Sequence, residues 1–376
     1  MKYPVLKIDP KILAIVLIIL CVLLISWFNH LGVFDVQEMR AYDWLMRMRP
    51  IETPHPEIVI IEISDDTLGN LGQWPISRDY HAALLKVLSE AGARVVVMDL
   101  LLSEPDTADA VLSQAMLASG NVYLPYAFRI EKRGGEFVAA GVLAGISAGI
   151  VSAVSGAGHI NVIVDPDGKV RRLPLLLRHR KKDVVALGVL AAAARMGYDA
   201  HDIRVDERGI ARLGNRLLVP LDREGAIWVN YPGPWTKTFR HYSYFDILKA
   251  HADKKKGLRP RFDTSVLKDK ICFVGLTAAG TSDLRANPFD PVYPMVGVHA
   301  SICDSVLRNA FIKRLSLLFR SLIDSGFFLA GIKICLAFSP VAAFFACIAL
   351  AVIWLGMSWI SFSFWGFLGI SWCLFG

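Results

Sequence analysis

Charged residues are absent from two long stretches near the ends of this chain, and this constrains the fold more than any motif does. Residues 334–376 contain no Asp, Glu, Lys or Arg, and neither do residues 12–28 (ILAIVLIILCVLLISWF). A helix that crosses a hydrocarbon core of about 30 Å needs about 17–25 apolar residues. Both stretches are therefore predicted to enter a membrane, which excludes a purely soluble enzyme and a disordered protein.

Four transmembrane α-helices are predicted. Residues 12–28 form the first, and residues 315–376 hold three more, one over 315–332 and two in the uncharged tail. Asp324 falls inside the stretch 315–332. A carboxyl at membrane depth is costly and often functional. The alternative is that this span begins later and that Asp324 lies at the membrane interface.

The charges that flank the first span predict its orientation. Three lysines precede it against a single Asp9, and such an excess keeps residues 1–11 in the cytoplasm. Residues 29–312 then lie outside the plasma membrane, and three later crossings return the chain to the cytoplasm. The bulky residues after the span (SWFNHLGVFD) favour an uncleaved anchor over a cleaved signal peptide.

The middle of the chain has the pattern of an α/β domain. Residues 58–64 (IVIIEIS), 94–102 (RVVVMDLLL) and 271–277 (ICFVGLT) are short apolar runs, which are typical of strands buried on both faces. Residues 79–91 have helical spacing, and Gly92 ends that pattern. A strand, a helix and a second strand in this order predict a βαβ unit, and hence a mostly parallel sheet flanked by helices.

Further elements are predicted around this unit. Residues 107–119, 184–195 and 297–309 have helical patterns, and residues 65–78 (DDTLGNLGQWPISR) are predicted to form a long polar loop. The stretch GHINVIVDPDGKVRRLPLLL predicts an antiparallel hairpin that turns at residues 165–168.

Cysteine usage indicates no metal centre. Of the six cysteines, only Cys272 and Cys303 lie in or near the exported domain, where a disulfide is chemically possible. One falls in an apolar strand and the other in a predicted helix, so buried free thiols are the preferred interpretation. No CxxC motif or Cys/His cluster is present, and no metal or cofactor is predicted. The net charge of +7 could indicate a nucleic-acid partner, but none is predicted because the chain is expected to lie in a membrane.

A series of short motifs runs in order through the middle domain. They are Tyr42, Asp43 and Arg47; Gly72 to Pro75 with Arg78; His81-Ala82; Ala91 to Arg94; Asp99; Ser103 to Asp106; Asp165, Asp167-Gly168 and Arg171-Arg172; Asn230 to Gly233; Val274-Gly275; Asp283; and Gly297 to Ala300. Together they resemble the second class of CHASE sensor domains, which are extracytoplasmic modules of bacterial cyclases and histidine kinases. One span before the domain and three after it are also similar to that family.

The resemblance implies a membrane receptor without catalytic residues of its own. It would bind an unknown small molecule or respond to the state of the envelope. It would then signal, as a homodimer, to a cytoplasmic effector such as a nucleotide cyclase, a diguanylate cyclase or a histidine kinase. No effector follows Gly376, so we expect either a fragment or a chain that has lost its effector. The alternative is a membrane-anchored scaffold or a transporter-associated protein.

Ligand-binding candidates lie in the loops after the predicted strands, because the carboxyl ends of strands form the usual ligand crevice of open α/β sheets. They are Asp65, Trp74, Arg78, Asp99, Glu104, Thr277 and Asp283. The structural alternative is that Trp74 fills the core and that Arg78 pairs with Asp99 or Glu104. His81 and His299 are predicted to be helix-capping or core residues.

Two residues depart from the family pattern where a ligand is expected. Ser64 follows Ile63 where the family usually has Asp, and Asn287 stands where it often has Thr. No GxSxG elbow or phosphate-loop lysine is present. No catalytic residue is therefore predicted.

Overall fold

The fold is given by a computed structural model. It describes residues 19–20, 23–24, 27–28, 35–180, 182–206, 209–214, 217–281, 283–314 and 317–368. The described residues form two compact units. The unit that holds all the predicted spans, named the membrane unit after that prediction, combines residues up to Pro50 with those from Ile312 onward, and the α/β unit runs from Ile51 to Phe311. The predicted limits at residues 29 and 312 follow membrane boundaries and stay predictions.

Nine α-helices lie within the described residues and are numbered in chain order. They are α1 Asp35–Met48, α2 Asp65–Leu71, α3 Arg78–Ala91, α4 Asp109–Ser119, α5 Leu187–Met196, α6 Tyr244–Lys255, α7 Met295–Arg308, α8 Leu317–Ala337 and α9 Pro340–Trp365. Short 3-10 turns occur at Val151–Ala153, Ala200–Asp202, Trp235–Lys237 and Thr264–Leu267.

The strands of the described residues are numbered in the same way. They are β1 Ile58–Ile63, β2 Val95–Asp99, β3 Val122–Arg133, β4 Glu136–Ala144, β5 Gly156–His159, β6 Ile163–Val164, β7 Val170–Pro174, β8 Leu176–His179, β9 Lys182–Val185, β10 Arg204–Val205, β11 Ile210–Leu213, β12 Leu217–Pro220, β13 Ala226–Trp228, β14 Arg240–Ser243, β15 Ile271–Leu276, β16 Leu284–Arg285, β17 Tyr293–Pro294, β18 Lys313–Arg314 and β19 Phe367–Leu368.

A mostly parallel sheet forms the centre of the α/β unit. Strands β14, β1, β15, β2 and β3 lie side by side in this order, and all four pairings are parallel. Strand β5 adds to β3 in parallel, and β4 pairs with the later part of β3 in antiparallel fashion. The predicted α/β class with a mostly parallel sheet is confirmed.

Helices cover both faces of this sheet. On one face Ile61, Val96 and Val274 pack in a buried cluster with Leu84 of α3 and Ile247 of α6. On the other face α7 packs against β1 and β15, while α5 packs against β2 and β5. The predicted βαβ unit is confirmed, with α3 between β1 and β2. Gly92 ends α3 at a φ of 78°, a left-handed conformation that glycine adopts without strain.

Two local predictions were wrong. Residues 65–71 form α2 rather than a loop, because two aspartates in its first turn complement the helix dipole and Thr67 is buried beneath it. Residues 184–195 were predicted to be one helix. Instead, strand β9 ends at Val185 and α5 begins at Leu187. The β-branched pair Val184-Val185 favours the extended hairpin with β8.

The predicted hairpin at residues 165–168 is confirmed, and buried charge holds it. Strands β6 and β7 are antiparallel, and Gly168 occupies the turn with a φ of 81°. The fully buried guanidinium of Arg171 donates to Asp165 at 2.7 Å and to Asp167 at 2.5 Å. This turn is therefore tied to its own strand by a charged network.

Cys272 and Cys303 are free thiols. Cys272 lies in β15 and Cys303 lies in α7, and both side chains are buried. Burial raises the pKa of Cys272 to about 12, so this thiol stays protonated at neutral pH. The preferred prediction of buried free thiols is confirmed.

The membrane unit has one continuous helix where two spans were predicted. Helix α9 covers 26 residues of the uncharged tail, because its only proline, Pro340, occupies the first turn, where it breaks no hydrogen bond. Among the described residues, α9 is the one helix that is long and apolar enough to cross a membrane. The apolar part of α8, Ser325–Ala337, is shorter. Asp324 falls within α8.

The first predicted span, residues 12–28, lies largely outside the described residues, and its described residues are helical. Helix α1 packs on α9 within the membrane unit. Tyr42 meets Phe362 edge to face with ring centroids 6.2 Å apart. The indole of Trp359 donates to the carbonyl of Met48 at 3.3 Å.

The hairpin network gives a stability prediction. Arg171→Met leaves the buried Asp165 carboxylate without this partner, and we expect the free energy of unfolding to fall by about 3–5 kcal/mol. Arg178→Met removes an exposed ion pair with Asp183 on the neighbouring hairpin and should leave stability nearly unchanged. Urea denaturation of the detergent-solubilised chain measures both. Equal effects of the two substitutions would contradict the structural role of the Arg171 network.

Candidate functional site

The carboxyl ends of three neighbouring strands form one edge of the sheet. Glu62 of β1, Gly275 of β15 and Asp99 of β2 stand in register across this edge. The loops that follow these strands carry four of the predicted candidates, Asp65, Asp99, Thr277 and Asp283. We call this set of loops and strand ends the carboxyl-edge site.

Asp99 is the most unusual residue of the carboxyl-edge site. It is the last residue of β2 and only 5% exposed. Its Oδ2 atom has no hydrogen-bond partner among the described residues. Burial raises the pKa of Asp99 well above its ordinary value, and the negative charge of Asp283 raises it further. Burial therefore favours the neutral form of this carboxyl.

Asp283 is the second acid of this site. Burial raises its pKa to about 6, and the neighbouring Arg285 opposes that change. Two carboxyl groups whose charges raise each other's proton affinity release protons as a pair. The pair can hold a proton, or it can accept a cation or an amine in its place.

Helix α7 begins beside the backbone of Asp283. The amide of Met295, the first residue of α7, donates to the carbonyl of Asp283 at 3.0 Å. A Cβ on Gly275, which stands beside Asp99, would lie 2.5 Å from the Cβ of Val296. The absence of a side chain at Gly275 thus lets α7 approach the sheet next to the buried acid.

The loop after β15 is tethered to α2. Asp65, at the start of α2, accepts from the amide of Ala279 at 3.2 Å with each of its carboxylate oxygens. The amide of Thr277 donates to the carbonyl of Ile63 at 3.0 Å. Asp65 and Thr277 therefore position the loop that leads to Asp283, through hydrogen bonds that hold its backbone.

The other three candidates lie near α3 and α4, where Arg78 is fully engaged. The buried Arg78 guanidinium pairs with the carboxylate of Asp109 and donates to the carbonyl of Glu104 at 2.6 Å. Ser147 donates to the second Asp109 oxygen at 2.7 Å. The Glu104 side chain is exposed, and Trp74 packs partly buried against the core cluster.

Asp109 and Ser147 were missed by the sequence reasoning. The partner of Arg78 is Asp109 rather than Asp99, and its link to Glu104 is through the backbone. Burial raises the pKa of Asp109, but the hydrogen bonds from Ser147 and Arg78 outweigh that effect and lower it. No spacing in the sequence signals this contact, since 31 residues separate Arg78 from Asp109.

The buried histidines are core residues. His81 makes a ring hydrogen bond to the hydroxyl of Tyr244 at 2.8 Å, and burial lowers its pKa to about 4. His299 of α7 is buried beside His159, which the sequence analysis missed. Burial lowers their pKa values to about 4 and about 3. The prediction of a core hydrogen bond for His81 is confirmed.

Comparison with known proteins identifies the family. The model of the CHASE2 domain matches residues 15–343, which is most of the chain. The chain belongs to the CHASE2 domain family. No curated protein and no solved structure matches it.

CHASE2 domains are extracytoplasmic sensory domains of membrane signalling receptors. The carboxyl-edge site lies in the α/β part of this CHASE2 domain, and so do both departures from the family pattern. Ser64 directly precedes α2 without a side-chain cap. Asn287 is buried, and its side-chain oxygen accepts from the amides of Phe289 and Asp290 at 2.8 and 2.6 Å. Asn287 thus shapes the turn before α7.

The acid pair gives a pH prediction. The unfolded chain releases the Asp283 proton near pH 4, whereas the folded CHASE2 domain keeps it to about pH 6. The folded state binds more protons in this window, so the contribution of Asp283 to stability falls as pH rises through it. Asp283→Asn, which stays neutral, should gain about 1–3 kcal/mol relative to the wild type between pH 4 and pH 7.

Thermal unfolding of the variant and of the wild-type chain at several pH values measures this difference. Because all other titratable groups are the same in both proteins, their contributions cancel in the comparison. The control is Asp66→Asn, which changes an exposed carboxyl at the same edge. A stability difference between Asp283→Asn and the wild type that does not vary with pH would contradict the raised pKa.

Proposed function

We propose that this CHASE2 chain is the sensory and membrane part of a receptor. It responds to an extracytoplasmic small molecule or to the state of the envelope at the carboxyl-edge site, and it relays that state to a cytoplasmic effector. The observation that carries the proposal is the hydrogen bond from the backbone amide of Met295 to the backbone carbonyl of Asp283. It joins the loop of the acid pair to α7, the helix that precedes the C-terminal membrane segments in the chain. The effector is a nucleotide cyclase, a diguanylate cyclase or a histidine kinase.

The proposed topology has one crossing before the sensory body and three after it. Residues 12–28 form the first crossing, and α8 and α9 form two of the others. The third would begin after Gly366, where α9 ends. Gly366 ends α9 with a φ of 64°, which supports a turn there. A chain that leaves an extracytoplasmic α/β unit reaches the cytoplasm only after an odd number of crossings, and a signal to a cytoplasmic effector requires this.

The relay begins with the protonation or ligand occupancy of the acid pair. When both are ionised, the carboxylates of Asp99 and Asp283 repel each other. The loop that carries Asp283 is hydrogen-bonded to the first turn of α7. A displaced loop therefore moves or releases this turn. Because Gly275 and Val296 are in close contact, α7 has little room to adjust without sliding along β15.

The C-terminal end of α7 is hydrogen-bonded to the first residues of the α/β unit. Arg308 donates to Glu52 at 2.7 Å, and the amide of His55 donates to Asp304 at 2.6 Å. The segment 51–57 follows α1, and Arg308 precedes α8 in the chain. A shift of α7 therefore displaces both the segment that follows α1 and the segment that leads to α8.

A homodimer is part of the proposal. Gly326 and Gly331 of α8 and Gly356 of α9 each have no described atom within 4 Å of the place where a Cβ would lie. Small residues at such positions allow helices of two copies to approach closely in a bilayer. Movement of one copy against the other would then carry the signal.

Topology is tested by labelling. Leu258→Cys places a thiol at an exposed position of the body, and we expect a membrane-impermeant maleimide to label it in intact spheroplasts. Lys7→Cys, in the predicted cytoplasmic N-terminus, should be labelled only after lysis. Labelling of Leu258→Cys that requires lysis would contradict the exported body and the sensory role with it.

The relay is tested by fusing an adenylate cyclase domain after Gly376. Asp65→Ala removes the tether of Ala279, a loss of about 1 kcal/mol, which corresponds to about a fivefold change in a two-state equilibrium. We expect cyclic AMP production to change by that factor, and Asp66→Ala to leave it unchanged. Unchanged output from an Asp65→Ala fusion that folds and inserts normally would rule out a relay through this loop.

A further inference from the structure

A cavity of about 930 Å³ lies in the α/β unit outside the carboxyl-edge site. It is bounded by β3 and β5, by the β8–β9 hairpin and by the C-terminal half of α5. Three tyrosines line it: Tyr123, Tyr126 and Tyr198. Ligand cavities of about 300–1,000 Å³ hold most small molecules, so this volume is sufficient for a ligand with one or two rings.

Two glycines make room for tyrosine rings at this cavity. A Cβ on Gly156 would lie 3.1 Å from the ring of Tyr123. A Cβ on Gly214, whose φ is +60°, would lie 2.5 Å from the ring of Tyr198. Both rings therefore occupy space that a side chain at Gly156 or Gly214 would fill.

The hydroxyl groups of the cavity are available to a ligand. None of the three tyrosine hydroxyls makes a hydrogen bond to any described residue. Ser155 accepts from the amide of Val122 at 3.1 Å, which leaves its hydroxyl proton to be donated. The cavity thus offers neutral groups that both donate and accept, set among aromatic rings and the apolar side chain of Leu190.

The charges on the cavity wall cancel. Two cations, Lys182 and Arg204, and two anions, Asp183 and Asp199, belong to the described lining. This lining therefore has no formal net charge with which to select an anion or a cation. A wholly apolar ligand would in turn strip water from the hydroxyls without replacing it, which costs free energy.

We propose that this cavity binds a neutral saccharide of one or two rings. A sugar ring has an apolar C–H face that fits against a tyrosine ring and a rim of hydroxyls that both donate and accept. These are the features that the tyrosines and Ser155 present. The proposal gives the CHASE2 sensory role a ligand class at a second site, but binding to the cavity does not depend on the relay through the carboxyl edge.

The test uses the full chain in nanodiscs and isothermal titration with four probes: glucose, N-acetylglucosamine, maltose and N,N′-diacetylchitobiose. At least one should bind. Tyr123→Phe and Tyr198→Phe keep the rings and remove one hydroxyl each, so each should weaken binding by about three- to tenfold. Tyr80→Phe, an exposed tyrosine of α3 away from the cavity, should bind as the wild type does.

Two results would overturn the saccharide site. One is that none of the four sugars binds, whether or not indole, included as a flat aromatic probe, does bind. The other is that a sugar binds with the same affinity to Tyr123→Phe, Tyr198→Phe and Tyr80→Phe. Thermal unfolding of each variant without sugar shows that it is folded. Because binding is measured directly, its failure is distinguishable from a failure of signalling.

Discussion

The carboxyl-edge site of this CHASE2 chain depends on one buried carboxyl group, that of Asp99. Parallel strands bring their carboxyl ends to one edge, and Asp99 ends β2 there with an oxygen that no described residue satisfies. An ionised carboxylate at such a place would be costly. Burial at this edge raises the pKa of Asp99 and of Asp283, and the absence of a side chain at Gly275 lets α7 approach the sheet beside them.

The acid pair and the buried histidines respond to acid in opposite directions. Burial lowers the pKa values of His81, His159 and His299 to between about 3 and about 4. The unfolded chain therefore binds more protons there as pH falls below about 6.5, and acid destabilises the fold through these rings. Asp99 and Asp283 stabilise it over part of the same range. Mild acid thus changes the balance at the carboxyl edge before the histidine core is charged.

Much of the α/β body could be predicted from the sequence, and much of the site could not. Apolar runs such as IVIIEIS predict buried strands, and the order of strand, helix and strand predicts the parallel sheet. That sheet explains why Asp65, Asp99, Thr277 and Asp283 share one edge. The Arg78–Asp109 pair, the burial of His159 together with His299, and the tyrosine cavity arise from packing between segments that are distant in the sequence, and no local sequence pattern indicates them. The bounds of α9 could not be predicted, because an uncharged tail shows its length without showing where its turn lies.

Hydrogen–deuterium exchange tests the coupling between the acid pair and α7 most directly. After correction for the intrinsic pH dependence of exchange, residues 277–285 and the first turn of α7 should exchange faster at pH 7.5 than at pH 5 in the wild-type chain. Asp99→Asn and Asp283→Asn should each reduce that difference. Equal protection of α7 at both pH values in the wild type, or a pH difference that both variants retain in full, would contradict the account.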